Sequence, residues 1–107
     1  MSIKFTIDVT PQASRDIQEI FTYISNELNN SKAAKDTIDK VLASLGLLET
    51  FPYSCPCINL PGLPVESYRK CISGNYIAIY KVNTELQTVT VIKVFYGARD
   101  YKNLGLI

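Results

Sequence analysis

Most side chains in this sequence that could do chemistry are cations and tyrosines in its C-terminal part. The cations are Arg69, Lys70, Lys81, Lys93, Arg99 and Lys102, and the tyrosines are Tyr68, Tyr76, Tyr80, Tyr96 and Tyr101. The planar fork of arginine suits a phosphate, and a tyrosine ring can stack on a base. We interpret Lys81, Lys93 and Lys102 as solvated side chains. Tyr76 and Tyr80 are expected in or beside the core.

Arg99 is the candidate to which the pattern points first. It comes shortly after Gly97 at the end of an apolar run, where a glycine lets the backbone bend and the arginine reach a groove. The other interpretation is an ordinary ion pair with Asp100, Glu66 or Glu49. The residues alone leave this choice open.

Several kinds of catalytic and binding site are excluded by composition. The chain has no histidine, which removes nucleophile systems of the Ser-His-Asp and Cys-His type. It also lacks the glycine-rich phosphate-binding and metalloprotease motifs. The net charge is +1, so a contact with nucleic acid would need a local basic patch.

The three cysteines are predicted to be free thiols. They are Cys55, Cys57 and Cys71, an odd number that argues against a complete disulfide framework. Zinc usually takes four ligands, and no histidine is present to complete a set. We therefore expect no metal and no other cofactor, with redox pairing as the alternative for the cysteines.

The length and hydropathy of the chain predict one cytoplasmic domain. A chain of 107 residues is the size of a single domain, here residues 1–107. No apolar run is long enough for a membrane span, and no basic-then-apolar leader is present. We expect no membrane partner.

The chemistry-bearing residues need a sheet to position them, and the C-terminal part predicts one. Three strands are expected, at Glu66–Ile72, Tyr76–Val82 and Gln87–Tyr96, because β-branched and aromatic residues dominate there. Turns are predicted at Ser73–Asn75 and at Asn83–Leu86. The stretch therefore indicates an antiparallel meander.

The N-terminal half predicts a strand followed by two helices. Lys4–Val9 alternates apolar and polar residues, as a half-buried strand does. Thr10 can cap a helix that runs to about Leu28, and Ser31 can cap a second helix that ends near Phe51-Pro52. The charged residues Arg15, Asp16, Glu19 and Glu27 fall off the apolar stripe of the first helix.

These elements predict an α+β fold with the order β-α-α-β-β-β. The N-terminal strand precedes an antiparallel helical hairpin, and the three-stranded meander follows. The helices are expected to pack on one face of a mainly antiparallel sheet. The first strand could pair with the last one, although the residues do not decide this. A proline-rich loop over residues 51–65 connects the hairpin to the sheet.

The order and spacing of these pieces resemble the RelE/ParE superfamily of bacterial toxins, which includes the plasmid stabilisation proteins. The resemblance rests on Tyr76–Tyr80 and Val91–Tyr101, with Thr10–Ala13 as the start of the first helix and Phe51-Pro52 as the end of the second. Members are the toxin halves of type II toxin–antitoxin modules. The resemblance implies growth inhibition that a cognate antitoxin neutralises.

Two activities are known in this superfamily, and they imply different roles for the candidate residues. RelE-like members cleave mRNA on the ribosome by attack of a ribose 2′-OH, which needs a proton acceptor, a cation and a donor. In that case the resemblance assigns catalysis to Arg99, Lys70, Arg69 and Tyr101. A further arginine of the RelE-like pattern falls on Ile77, so that site is incomplete here. ParE-like members have a longer helical hairpin and inhibit DNA gyrase.

The resemblance therefore favours ParE-like inhibition of gyrase. The alternatives are a ribosome-dependent mRNA endoribonuclease and a small interaction module without toxicity. The antitoxin is expected to bring a DNA-binding part and a segment that folds on the toxin, so direct DNA binding by this chain alone is not expected. Because both faces of the strand Tyr76–Val82 are largely apolar, we expect a groove lined by Ile77 and Ile79 to accept that segment.

Overall fold

The chain folds into one five-stranded sheet with two helices against one of its faces. The structure is a computed structural model that describes residues 4–58 and 68–97. The strands are β1 (Thr6–Val9), β2 (Cys57–Ile58), β3 (Tyr68–Ser73), β4 (Tyr76–Asn83) and β5 (Thr88–Tyr96), and their spatial order is β1-β5-β4-β3-β2. Neighbouring strands are antiparallel except for β1 and β5, which run parallel. The predicted α+β architecture is confirmed.

The two helices form the predicted hairpin. Helix α1 spans Pro11–Thr22 and continues into a π-helical turn at Tyr23–Glu27, while helix α2 spans Ser31–Gly46 and ends in a 3₁₀ turn at Leu47–Glu49.

Polar side chains cap both helices. The Thr10 hydroxyl accepts a hydrogen bond from the Ala13 N–H at 3.1 Å, as the sequence predicts. The cap of α2 is Asn30 rather than Ser31, because the Asn30 side chain accepts from the Ala33 N–H at 2.9 Å. The prediction was therefore wrong by one residue at the second cap.

Strand β1 lies beside β5, the position that the sequence left open. The register runs from Thr6 opposite Thr88 to Val9 opposite Val91. The edge contact continues past the strand, because the Thr10 N–H donates to the Val91 carbonyl at 3.0 Å. Helix α1 thus starts in a fixed position against the last strand.

The proline-rich loop contains a short strand that the sequence analysis missed. Strand β2 pairs with β3 through Cys57 opposite Arg69 and Ile58 opposite Tyr68. Two residues with a proline before them are too short for a period-two pattern to be visible. The later part of the predicted loop and Glu66, the predicted start of the meander, lie outside the described residues.

The two meander turns use different residues for their tight bends. Gly74 takes φ 58° in the first turn, the conformation for which glycine is suited. In the second turn the positive φ, 52°, falls on Gln87, and the Asn83 side chain accepts from the Leu86 N–H at 3.0 Å. Strand β4 therefore ends at Asn83, one residue later than predicted.

The main core lies between the helical hairpin and the sheet. Its buried members are Ala13, Val41, Leu45 and Leu48 from the helical segments and Cys71, Ala78, Tyr80, Val89, Val91 and Val94 from the sheet. Burial of one such aliphatic side chain stabilises the fold by about 1.5–3 kcal/mol relative to leaving it exposed. This packing fixes one face of the sheet and leaves the other face for a site.

Candidate functional site

Arg69, one of the predicted cations, holds the loop that follows helix α2. Its guanidinium Nη1 donates to the Cys55 carbonyl at 2.7 Å and to the Tyr53 carbonyl at 3.3 Å. The guanidinium carbon lies 5.1 Å from the centroid of the Tyr53 ring, a cation–π contact. One nitrogen of the guanidinium fork, Nη1, is therefore used within the chain.

Tyr80, the residue opposite Arg69 on β4, anchors the same loop from inside. Its side chain is fully buried, and its hydroxyl donates to the Pro52 carbonyl at 2.9 Å. The prediction of a core tyrosine is confirmed. Together Arg69 and Tyr80 bind three loop carbonyls, at Pro52, Tyr53 and Cys55, so they position the loop.

The face of the sheet away from the helices carries lysines. Lys70 on β3 and Lys93 on β5 flank Ile79 in one row across three strands, and Lys81 follows two residues later on β4. Lys81 is exposed, as predicted, and Lys70 is half-buried. Within residues 4–58 and 68–97, neither Lys70 nor Lys81 forms an ion pair. These two ammonium groups are available to a ligand.

Lys93 and Asp16 correct the prediction that both lie outside the packed interior. The Lys93 side chain is 17% exposed and that of Asp16 is 8% exposed, and the Lys93 Nζ lies 3.6 Å from the Asp16 carboxylate. Asp16 also accepts from the Val94 N–H at 3.0 Å and from the Gln12 amide at 2.9 Å. The Asp16 carboxylate is buried because it accepts a hydrogen bond from the edge of β5, beyond the point where β1 ends.

A second apolar cluster lies on the sheet face away from the helices. Ile58, Ile79 and Phe95 are buried there, and Tyr68 and Ile77 pack against them. Ile79 has no exposed surface, so it cannot line an open groove as the sequence analysis expected. Ile77 is half-buried and does reach a depression at the surface.

That depression is an open cleft of about 320 Å³ at the end of the β3–β4 hairpin. It is lined by Ile72, Gly74, Asn75, Ile77, Tyr96 and Gly97. The Gly97 N–H donates to the Asn75 carbonyl at 2.7 Å, and a Cβ at position 97 would stand 3.1 Å from that oxygen. A side chain at this position would crowd Asn75, so the glycine permits close approach of β5 to the hairpin turn.

One tyrosine, Tyr96, lines this cleft and packs against Tyr76. The rings of Tyr76 and Tyr96 meet edge to face with centroids 5.8 Å apart. Burial raises the pKa of the Tyr76 hydroxyl, and the nearby Tyr96 and Tyr23 hydroxyls raise that pKa further. Tyr23 comes from the π-helical turn, and sequence reasoning missed it because it is one exposed tyrosine in a helical pattern.

Exposed apolar side chains make this end of the molecule a candidate interface. Ile72 is 62% exposed, Tyr23 is 58% exposed and Tyr96 is 47% exposed. We call Tyr23, Ile72, Ile77 and Tyr96 the hairpin-end surface. Large apolar groups that stay this exposed around a cleft commonly mark a site for another protein.

Two of the predicted catalytic residues, Arg99 and Tyr101, lie outside the described residues, as does Lys102. Of the predicted set, the structure therefore places Arg69 and Lys70 on neighbouring positions of β3, whose side chains point to opposite faces. Among the described residues, no group of three or more His, Cys, Asp or Glu is placed to hold a metal ion. No helix there is long and apolar enough to cross a membrane.

Comparison with known proteins agrees with this architecture. Residues 7–101 match the family model of the ParE toxin of the type II toxin–antitoxin system parDE. No curated protein sequence matches the chain. Among solved structures, the chromosomal ParDE toxin–antitoxin system from P. aeruginosa matches with a TM-score of 0.70 and 12% identity, over 89% of this chain and 98% of that one.

Two further structures share the fold. The toxin–antitoxin complex RelBE2 from Mycobacterium tuberculosis matches with a TM-score of 0.61 and 16% identity, over 88% of this chain and 99% of that one. The archaeal RelE–RelB complex from Pyrococcus horikoshii OT3 matches with a TM-score of 0.58 and 19% identity, over 91% and 99%. These solved structures share with this chain the fold of two helices packed on a mainly antiparallel sheet. Because the family model spans most of its length, the chain belongs to the ParE toxin family of type II toxin–antitoxin systems.

Proposed function

We propose that this toxin inhibits DNA gyrase and is held inactive by a cognate antitoxin. The observation that carries the proposal is the match of residues 7–101 to the ParE toxin family, which includes both helices, strands β2 to β5 and all of β1 except Thr6. The similar solved structures are complexes of a toxin with an antitoxin, which supports an antitoxin partner for this chain as well.

The use of Arg69 supports gyrase inhibition over mRNA cleavage. A ribonuclease site of the RelE type needs several free cations around the reacting phosphate. Arg69 is engaged by the carbonyls of Tyr53 and Cys55, and Ile77 stands where the RelE-like pattern has an arginine. Arg69 therefore holds the loop rather than a reacting phosphate, and the RelE-like pattern lacks its cation at position 77.

The antitoxin contact is assigned to the hairpin-end surface. The cleft beside Ile72, Ile77 and Tyr96 is open and bordered by exposed apolar groups. An amphipathic antitoxin segment that folds on binding would place an apolar side chain in the cleft and cover Tyr23. Of the two residues predicted to line the antitoxin groove, Ile77 is retained. More exposed residues of the hairpin-end surface take the place of Ile79.

Arg99 is proposed as the residue that contacts the target. Its guanidinium is always charged and offers a planar fork to a carboxylate or a phosphate. In the proposed activity it pairs with an acidic surface of gyrase. Arg99→Ala should then abolish toxicity while the melting temperature and the antitoxin complex stay unchanged.

The proposal is tested by adding the purified chain to two reactions. In a supercoiling reaction with purified gyrase, we expect loss of supercoiling that the antitoxin reverses. In a translation extract, we expect intact mRNA. The Arg99→Ala variant is the matched control in both. Cleaved mRNA with normal supercoiling would reject gyrase as the target, and no effect in either reaction or on growth would favour the non-toxic interaction module.

The ribonuclease remains the second candidate because of Lys70. Its half-buried side chain lies on the sheet face away from the helices without an ion-pair partner among the described residues, as a phosphate-binding lysine would. Lys70→Ala separates the two activities. Gyrase inhibition is expected to survive this substitution, whereas mRNA cleavage would fall sharply if Lys70 stabilises the developing charge.

A further inference from the structure

Two cysteine side chains meet beneath the loop that follows helix α2. Cys71 is buried on the helix-facing side of β3, and Cys55 packs against the core cluster that contains it. The Lys70 N–H donates to the Pro56 carbonyl at 3.0 Å, which continues the antiparallel β2–β3 register and sets Cys55 opposite Cys71. Redox pairing is the alternative that the sequence leaves for the cysteines, with no choice of partners.

The fold holds these thiols together through the anchors of the loop. The Cys55 carbonyl accepts from Arg69 at 2.7 Å, and Arg69 is two residues before Cys71 on the same face of β3. The Tyr80 hydroxyl donates to the Pro52 carbonyl at 2.9 Å, which fixes the loop three residues before Cys55. Because the backbone of the loop and of strand β3 is held in place, Cys55 and Cys71 stay near each other whichever rotamer either side chain adopts.

We propose that Cys55 and Cys71 form a reversible disulfide under oxidation by a hydroperoxide, which fixes the loop to strand β3. Cys57 is not part of this pair. It lies opposite Arg69 in the β2–β3 ladder, and Cys55 and Cys57 are separated by a single residue. A disulfide across one residue is strained, because it must close a very small ring.

The two thiols have different roles in the reaction. Cys55 is half-buried and reaches solvent, so it meets the peroxide first. Burial, with the neighbouring Cys55 thiol, raises the pKa of Cys71 to about 12, so Cys71 is a poor first nucleophile. Cys71 acts instead as the resolving thiol, next to the oxidised sulfur.

The chemistry balances with the hydroperoxide as the only oxidant. The Cys55 sulfur attacks the peroxide oxygen, the O–O bond breaks, and the sulfenic acid of Cys55 forms with release of one water or alcohol. The Cys71 sulfur then attacks the Cys55 sulfur, the S–O bond breaks, and water leaves with the Cys71 proton. Both sulfurs are oxidised by one electron each, and a dithiol such as dithiothreitol reverses the reaction.

The test treats the purified full chain with graded hydrogen peroxide, followed by alkylation and peptide mapping without reductant. We expect a cross-linked peptide pair that contains Cys55 and Cys71, with Cys57 still alkylated. The oxidised chain should melt roughly 5–10 °C higher, because the cross-link limits the unfolded state, and dithiothreitol should restore the original melting temperature.

Single substitutions decide the pairing. Cys57→Ser is the matched control and should keep the cross-link and the rise in melting temperature. Cys55→Ser should lose both, and Cys71→Ala provides the second arm if the serine variant folds poorly. A Cys55–Cys57 disulfide, a dimer linked through Cys57, or oxidation of Cys55 to the sulfinic acid with no cross-link would each overturn the proposal.

Discussion

The carboxylate of Asp16 accepts a hydrogen bond from the backbone N–H of Val94 at 3.0 Å, which joins helix α1 to strand β5. Strand β1 pairs with β5 only as far as Val9, so within the described residues no strand binds the N–H groups further along this edge. A buried N–H without an acceptor is costly. A helix residue thus completes the edge of the sheet, and the ion pair with Lys93 balances its charge.

Removal of this carboxylate should destabilise the toxin. In Asp16→Ala the Val94 N–H and the Lys93 ammonium both lose their partner in a buried place, and we expect a loss of about 2–4 kcal/mol in the free energy of unfolding. Urea denaturation measures it. Asp36→Ala is the matched control, because Asp36 forms an exposed pair with Lys32 and its loss should cost about 0.5 kcal/mol or less. Equal losses in both variants would contradict the role of Asp16.

Helix and strand positions were predictable from sequence because periodicity and caps are local signals. The Thr10 cap, the meander and the α+β architecture follow from residues close together in the chain. The burial of Asp16 does not, because its partner Val94 is 78 positions away and a charged residue on a helix ordinarily faces water. Two-residue strand β2 was missed for the same reason, since its only evidence is the pairing with β3.

Arg69 should matter for stability rather than for contact with the target. Arg69→Ala leaves the carbonyls of Tyr53 and Cys55 without their donor, and we expect a loss of about 1–3 kcal/mol, partly restored in Arg69→Lys. Thermal unfolding checks this. Arg15→Ala is the control, because Arg15 is exposed and makes one long hydrogen bond to Gln12. Loss of gyrase inhibition at full stability would instead assign Arg69 to the target contact.

Alkaline pH should destabilise the fold through Cys71. Burial raises the pKa of Cys71 from 9.0 to about 12, so the folded state keeps a proton that the unfolded state loses. The free energy of unfolding therefore falls as the pH rises above about 9, by up to about 1.4 kcal/mol per pH unit for this group. Burial raises the pKa of Tyr80 as well, which steepens the fall above about pH 10.

The Cys71→Ala variant isolates this contribution. It is less stable at every pH because packing is lost, but its free energy of unfolding should change less between about pH 8 and about pH 10 than that of the unaltered chain. Urea denaturation at the two pH values, with reductant present, gives both slopes. Identical slopes in the two chains would show that Cys71 does not hold its proton in the fold.

Much of the candidate site could be identified only from the three-dimensional structure. The sequence indicated an apolar sheet face and named Ile77, and the structure places Ile77 at the edge of the cleft. Ile79 looks equivalent in sequence, yet Ile58 and Phe95 cover it. Tyr23 lies in the π-helical turn near enough to Tyr76 to raise the pKa of its hydroxyl, a proximity that no local pattern encodes.

The hairpin-end surface is tested by placing a charge in it. Ile72 is 62% exposed, so Ile72→Glu should change the melting temperature little, whereas a buried carboxylate in the antitoxin interface should weaken binding at least about tenfold. Leu86→Glu is the matched control. Leu86 is 74% exposed in the β4–β5 turn, at the opposite end of β4 from the cleft, and this variant should bind normally. Calorimetric titration with the protein encoded by the adjacent gene measures both. Normal binding by Ile72→Glu, or equal weakening in the two variants, would place the antitoxin elsewhere on the toxin.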